Sequence, residues 1–258
     1  MKLEIQNGCF TYPKAKNPTL TDVSFSLSQG EILTILGRNG IGKTTLITCI
    51  GGILHWTKGH VRVDGVTMDS VHHINSIAFV PQARAANYGY SVFDMVLFGR
   101  VRHMGLLSIP SRRDRAIASE ILEQMDLAQF AGRSCNQLSG GQLQMVLIAR
   151  ALAAEPEVLV MDEPESHLDF KNQHFILNLI QRLVRERGLS CIINTHYPDH
   201  ALQISDKTLL LGDNRSEFGK TSEMLTEKKV HQYFDVRVKI AESEDDGRTY
   251  KSFVVTGD

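Results

Sequence analysis

Apolar residues first recur in short β-rich runs, at Leu3–Gln6, Val23–Leu27 and Glu31–Leu36. Turn-forming residues separate them, at Pro13 to Pro18 and at Ser28-Gln29-Gly30. The third run ends in Gly37, and a helix-compatible stretch, Lys43 to Ile50, follows. Further β segments are expected around His60–Val63 and Ser76–Val80. From Ser91 to about residue 131 the rhythm turns helical, and Ser111 with Asp114 three residues on predicts a capped helix carrying Ile117, Ile121, Leu122 and Met125. Between Gly140 and Ala154, one helical stripe holds Leu143, Leu147, Ile148, Ala151 and Leu152. Buried strands at Val158–Met161, Ser190–Asn194 and Thr208–Leu211 then alternate with a helix at Asn172–Glu186. Apolar strands alternating with helices predict a parallel sheet covered on both faces. The tail, with Val236 to Ile240, an acidic turn at Asp246-Gly247 and Tyr250 to Val255, reads as a small hairpin.

The strand-to-helix junction carries the first chemistry. Gly37-Arg38-Asn39-Gly40-Ile41-Gly42-Lys43-Thr44-Thr45 is a full GxxxxGK[ST] loop. Its glycines let successive backbone N–H groups turn toward phosphate oxygens, and the following helix start adds a positive dipole end. Lys43 is expected to reach the outer phosphates and the Thr44 hydroxyl to ligate Mg²⁺. A second segment, Glu157 to Pro164, ends a buried strand in the carboxylates of Asp162 and Glu163. Asp162 is expected to hold Mg²⁺ and Glu163 to act as the base on an attacking water. A third, Leu138-Ser139-Gly140-Gly141-Gln142, opens another helix with a hydroxyl and free N–H groups, a second place for phosphate.

With two phosphate-binding helix starts in one chain, the sequence resembles the ABC ATPases, whose signature is LSGGQ. The resemblance runs over essentially the whole chain. It implies an α/β fold, with a P-loop NTPase core of mainly parallel sheet, an N-terminal antiparallel β subdomain and an inserted α-helical subdomain. The ATPase domain is expected over residues 1–240, its helical insert over about 83–155, and a hairpin appendix over 241–258. The resemblance also implies that LSGGQ of one copy closes on ATP and Mg²⁺ held by the phosphate loop of another. Tyr12 resembles the aromatic that stacks on adenine, and Gln82 the glutamine that senses Mg²⁺ and water. Ser166-His167-Leu168-Asp169 resembles the D-loop at the dimer contact, and His196 the switch histidine on the γ-phosphate. Three positions depart from the usual pattern: Glu165 in place of a frequent Thr, a bulky Ile41 in the phosphate loop, and Leu143 in place of a frequent Arg.

The segment Tyr88 to Arg100, followed by His103, is similar to one group of importer ATPases, as is Thr195 to Ala201. That group carries iron–siderophore complexes, haem, cobalamin or molybdate. The likeness implies a homodimer of ATPase subunits beneath an integral membrane permease dimer, at the cytoplasmic face of the cell membrane, with an extracytoplasmic substrate-binding protein. Tyr88, Tyr90, Phe93 and Phe98 are candidates for the groove that receives the permease. Iron chelate is the favoured cargo by resemblance, with cobalamin and molybdate behind it. A soluble ABC ATPase of DNA repair or translation is one competing reading, and an inactive regulatory or scaffold cassette, against which Lys43, Asp162, Glu163 and His196 argue, is the other.

Charge weighs on that choice. Among 258 residues, 28 Lys and Arg stand against 29 Asp and Glu, without the basic excess of a nucleic-acid binder. The four cysteines form no CxxC pair, which argues against a zinc site or a disulfide framework. No window approaches the ~20 apolar residues of a membrane-spanning helix, and the N-terminus lacks the apolar core of a secretory signal.

Overall fold

A computed structural model describes residues 2–67, 76–83, 89–105, 108–166, 168–245 and 247–257. Tyr88, His167 and Asp246 lie outside the described residues. Two sheets are built from the alternating segments. Strands β1 (Lys2–Phe10), β2 (Leu20–Ser28), β4 (Lys58–Val63) and β5 (Val66–Thr67) form an antiparallel sheet in the order β2-β1-β4-β5. Strand β1 runs past its expected end at Gln6 because register shifts around Asn7 and Gly8 re-aim it. Gly8 is required there: a Cβ would stand 2.6 Å from the Trp56 ring.

The second sheet takes β3 (Ile32–Gly37), β6 (Ile77–Val80), β7 (Val158–Asp162), β8 (Ser190–Asn194), β9 (Lys207–Gly212) and β10 (Arg215–Lys220). Its order is β10-β9-β3-β8-β7-β6, parallel throughout except for β10. The parallel strands are apolar along their length because both faces are covered. On one face, Leu33, Ile35, Val160 and Ile192 pack with helix α1 (Lys43–Ile50) and with Leu3, Ile5, Phe25 and Leu27 of the antiparallel sheet. On the other, Leu159, Met161, Cys191 and Ile193 meet α4 (Gly140–Ala153) and α5 (Phe170–Arg187), with α2 (Val92–Leu97) and α3 (Arg112–Gln124) in the same core. Helices α2 to α4 all fall between β6 and β7 in the chain, which makes them an inserted helical layer. Among the described residues, no helix is long and apolar enough to cross a membrane.

The sequence pattern does not announce several elements, among them β10, α7 (Thr221–Met224) and α8 (Glu227–Phe234). Strand β10 is a polar edge strand, tied to β9 by the two-residue turn Asp213-Asn214. The tail hairpin of β11 (Arg237–Asp245) and β12 (Arg248–Gly257) is longer than expected, since the acidic run Glu242 to Asp245 pairs as strand. It is fastened to the body at both strands. Phe253 N–H donates to Asp199 Oδ1 at 2.7 Å on α6 (Pro198–Ile204). The carboxylate of Glu227 accepts from Ile240 N–H and Lys239 Nζ.

Helix α3 starts as its sequence predicts, with Ser111 and Asp114 forming a reciprocal capping box. Asp114 does more than cap. Its Oδ1 accepts from Arg100 Nε at 3.1 Å, and Arg100, only 4% exposed, also pairs with Glu155 at 2.7 Å and donates to the carbonyl of Ala153. Removing one member of a buried pair strands the other charge. Arg100→Ala is therefore expected to lower the thermal midpoint by roughly 5–10 °C. Lys251→Ala, which breaks a solvent-exposed pair with Glu242, should change it by about 1 °C or less. Hydrogen bonds from Ser111, and then Arg100, hold the Asp114 carboxyl down at about 2. Its contribution is complete above the ordinary carboxylate value near ~4 and is lost as pH falls through that lower value. Circular dichroism against pH for the two variants checks both effects.

Candidate nucleotide site

The phosphate loop leaves the C-terminal end of β3, where ligands sit in open α/β sheets. Gly40 and Gly42 have φ of 79° and 108°, in the left-handed region that side chains rarely adopt. At Gly42, a Cβ would also press on Thr19 and Leu20 at 3.1 Å. Helix α1 begins immediately after it with no side-chain cap, so its first N–H groups remain available to an anion. Lys43 is folded back into the loop, its Nζ donating to the carbonyls of Gly37 (2.8 Å) and Arg38 (3.1 Å). Burial pushes its ammonium below the usual lysine range, and the charges of Glu163 and Asp162 partly restore it.

A cleft of about 540 Å³ opens over this loop, lined by Tyr12, Thr19, Asn39, Gly40, Gly42, Lys43, Thr44, Thr45, Glu163 and His196. Tyr12 is half exposed, stands edge-on to Phe10, and its hydroxyl lies 3.0 Å from Thr45 Oγ1. Gly37 and Arg38 contribute their carbonyls from behind, while the Arg38 side chain reaches Asp213. Ile41, the bulky departure, turns away from the cleft and packs toward Leu211 and Thr19.

Strand β7 delivers the acidic pair to the far wall. Asp162 Oδ1 accepts from Asn194 Nδ2 at 2.6 Å. Burial raises the Asp162 carboxyl above its ordinary value, while hydrogen bonds from Asn194 and Thr44 pull it back. Glu163 follows the strand with φ of 48°, held there by its N–H donating to the carbonyl of Asn194 at 2.9 Å. Its Oε2 accepts from Ser166 Oγ (2.9 Å) and Gln82 Nε2 (3.3 Å), and its Oε1 contacts His196 Nε2. Gln82, Glu163, Ser166 and His196 thus form one cluster at the cleft edge. Asn194 is the last residue of the buried strand β8, and nothing in its local sequence marks it; its position opposite Asp162 in the β7–β8 register brings the two together.

The signature residues do not join this cluster. Ser139 caps its own helix α4, its Oγ accepting from Gln142 N–H while its own N–H donates to Gln142 Oε1. Ser139 and Gly140 are exposed, Gly141 is buried with Asn172 against it, and none of the four lines the cleft. Leu143, one turn on, belongs to the helical core, where an arginine would be costly.

The phosphate loop, the acidic pair and the signature residues fall within a stretch that matches a described family. Residues 20–166 match the ABC transporter family. The molybdate import ATP-binding protein MolC of Haemophilus influenzae is 36% identical over 232 residues, covering 90% of this chain and 87% of that protein. A solved structure assigned as a metal-chelate type ABC transporter, in an inward-facing conformation, superposes with a TM-score of 0.89 at 34% identity, covering 98% of this chain and 97% of its own. A dimeric ATP-binding cassette in a post-hydrolysis state, bound to ADP and Pi, superposes at 0.71 with 28% identity, over 83% of this chain and 97% of its own. The family match spans more than half of the sequence and the relatives align along most of it, so this chain belongs to the ABC transporter family, as an ATP-binding, ATP-hydrolysing subunit.

Proposed function

We propose that this chain is the motor of an importer: two copies close on two ATP molecules beneath a membrane permease, and the cargo is a metal chelate or molybdate. One observation carries the reading. The cleft holds a phosphate loop, a base and a histidine, while the second phosphate-binding helix start, Ser139–Gly140, is exposed and outside it. A site that lacks its opposite wall while its own chain displays a matching one elsewhere is completed by a second copy.

Within that site, the loop N–H groups and Lys43 grip the phosphates, with Lys43 exchanging its carbonyl partners for phosphate oxygens. Tyr12 carries the adenine, and Asn39 and Thr45 line the phosphate side. Ser139, Gly140, Gly141 and Gln142 of the partner copy close over the γ-phosphate. Glu163, aimed by Ser166 and Gln82, takes the proton of the attacking water, and His196 contacts the γ-phosphate. The donors fit Mg²⁺: the Thr44 hydroxyl beside the partly desolvated Asp162 carboxylate, with the Gln82 amide nearby, is a hard-oxygen set with room for substrate phosphate. Bound there, Mg²⁺ would draw charge from the phosphate oxygens.

Docking is assigned to the helical layer. Tyr90 (52% exposed) and Phe98 (43% exposed) stack edge-to-face with centroids 4.9 Å apart, an aromatic pair on the surface. Phe93, by contrast, packs against the core, and Tyr88 lies outside the described residues. The relatives' names support import, and a binding protein outside the membrane completes the system. Reconstituted with its permease, the cassette's ATPase should rise several-fold with binding protein loaded with ferric siderophore, haem, cobalamin or molybdate. Phe98→Glu should abolish that rise and leave the free cassette's hydrolysis intact. A complex indifferent to all four cargoes would sink the importer reading.

A further inference from the structure

Two residues beyond the base, a third acid takes a different course. Glu165 is 1% exposed, its side chain turned into the protein. Its Oε1 accepts from the hydroxyl of Thr195 and lies 3.6 Å from Nδ1 of His200, while its Oε2 has no hydrogen-bond partner among the described residues. Thr195, equally buried, accepts in turn from the N–H of Tyr197 at 3.1 Å. One hydroxyl therefore joins Glu165 to the backbone on the far side of His196. Gln173 Nε2 on α5 donates to the carbonyl of Glu165 at 3.4 Å and holds the acid's own turn. Burying a carboxylate against so few partners is costly, and an apolar side chain would fill the space at less expense. The chain of contacts ends on the turn that carries the imidazole against Glu163.

We propose that Glu165 is a positioning residue for ATP hydrolysis, setting through Thr195 the turn that aims His196 at Glu163 and the nucleotide. This rests on the role given to His196 above. The carboxylate itself does not touch the nucleotide; it fixes a neighbour whose displacement by about 1 Å is worth up to ~10²-fold in rate.

The intact cassette, reconstituted with its permease, tests it. Glu165→Ala and Thr195→Val should each lower kcat about tenfold with the KM for ATP changed less than about twofold. Glu165→Gln keeps an acceptor facing Thr195 and should stay within about threefold of the unmodified rate. The double variant should be no worse than either single one, and Glu165→Ala should add nothing in a His196→Ala background. If Glu165→Ala does not fold, Thr195→Val, nearly identical in shape, carries the same comparison. A Glu165→Gln cassette as impaired as Glu165→Ala, or losses that multiply with His196→Ala, would overturn the proposal. An unimpaired Glu165→Ala beside a crippled His196→Ala would overturn the positioning role alone. A His196→Ala cassette at the unmodified rate would bring down the assignment of His196, and this proposal with it.

Discussion

Glu163→Gln is expected to slow ATP hydrolysis by about 10²–10⁴ while leaving nucleotide binding intact. The amide keeps the size of the carboxylate and can still accept hydrogen bonds from Ser166 and Gln82, which meet the same oxygen in the unmodified protein. What it loses is the capacity to take a proton from water. None of the phosphate-gripping groups, the loop N–H groups, Lys43 or Thr45, depends on Glu163 for its position. With the base gone and the grip kept, the ATP-bound pair should persist. Size-exclusion chromatography with ATP and Mg²⁺ should show a long-lived dimer for Glu163→Gln and a transient one for the unmodified cassette. Turnover near the unmodified rate would remove Glu163 from the role of base.

The second large effect concerns which copy supplies which wall. Lys43→Ala removes the one side-chain cation of the loop that is folded into it, and both sites of a homodimer should then fail, with hydrolysis down by about 10³ or more. Gly140→Asp should fail as completely for another reason: a carboxylate at the exposed start of α4 meets the phosphate of the partner's ATP with like charge. Mixed together, the two variants form pairs in which one composite site has both walls intact and the other has neither. If each intact site works by itself, the mixture should recover about a quarter of the unmodified rate, from half of the dimers with one of two sites. Should hydrolysis require both sites at once, the mixture stays silent. Nucleotide trapped on Gly140→Asp copies when Lys43→Ala copies are added, and not when Gly140→Asp copies are alone, separates that case from an absence of composite sites.

The residues that bind by backbone were the most legible in the sequence. A phosphate cradle needs glycine at positive φ, and Gly40 and Gly42 occur where that geometry occurs. Asp162 and Glu163 were legible because a buried apolar strand places its last residues at the sheet edge. Asn194, Thr195 and His200 were not, because each acquires its partner only when β7 and β8 lie side by side. No local spacing announces a carboxylate thirty residues away from its hydroxyl. Glu165 was legible as a departure from a pattern, but its inward turn was not. Strand β10 was missed for a different reason: its polar sequence hides an edge strand, although Gly212-Asp213-Asn214 ahead of it is a hairpin signal. Helices α7 and α8 are too short for a periodic stripe to stand out.

The hairpin of β11 and β12 packs Phe253 on the core and hydrogen-bonds the rest of the chain at two carboxylates, Glu227 and Asp199. Asp199 sits in the first turn of the short helix that starts right after the His196 turn. Trimming the tail would therefore release a brace on the helix that follows His196 and leave two carboxylates seeking new partners. A cassette cut before the hairpin, or one carrying a bulky fusion beside it, is in this respect an altered engine, and its turnover should be benchmarked against the 258-residue chain.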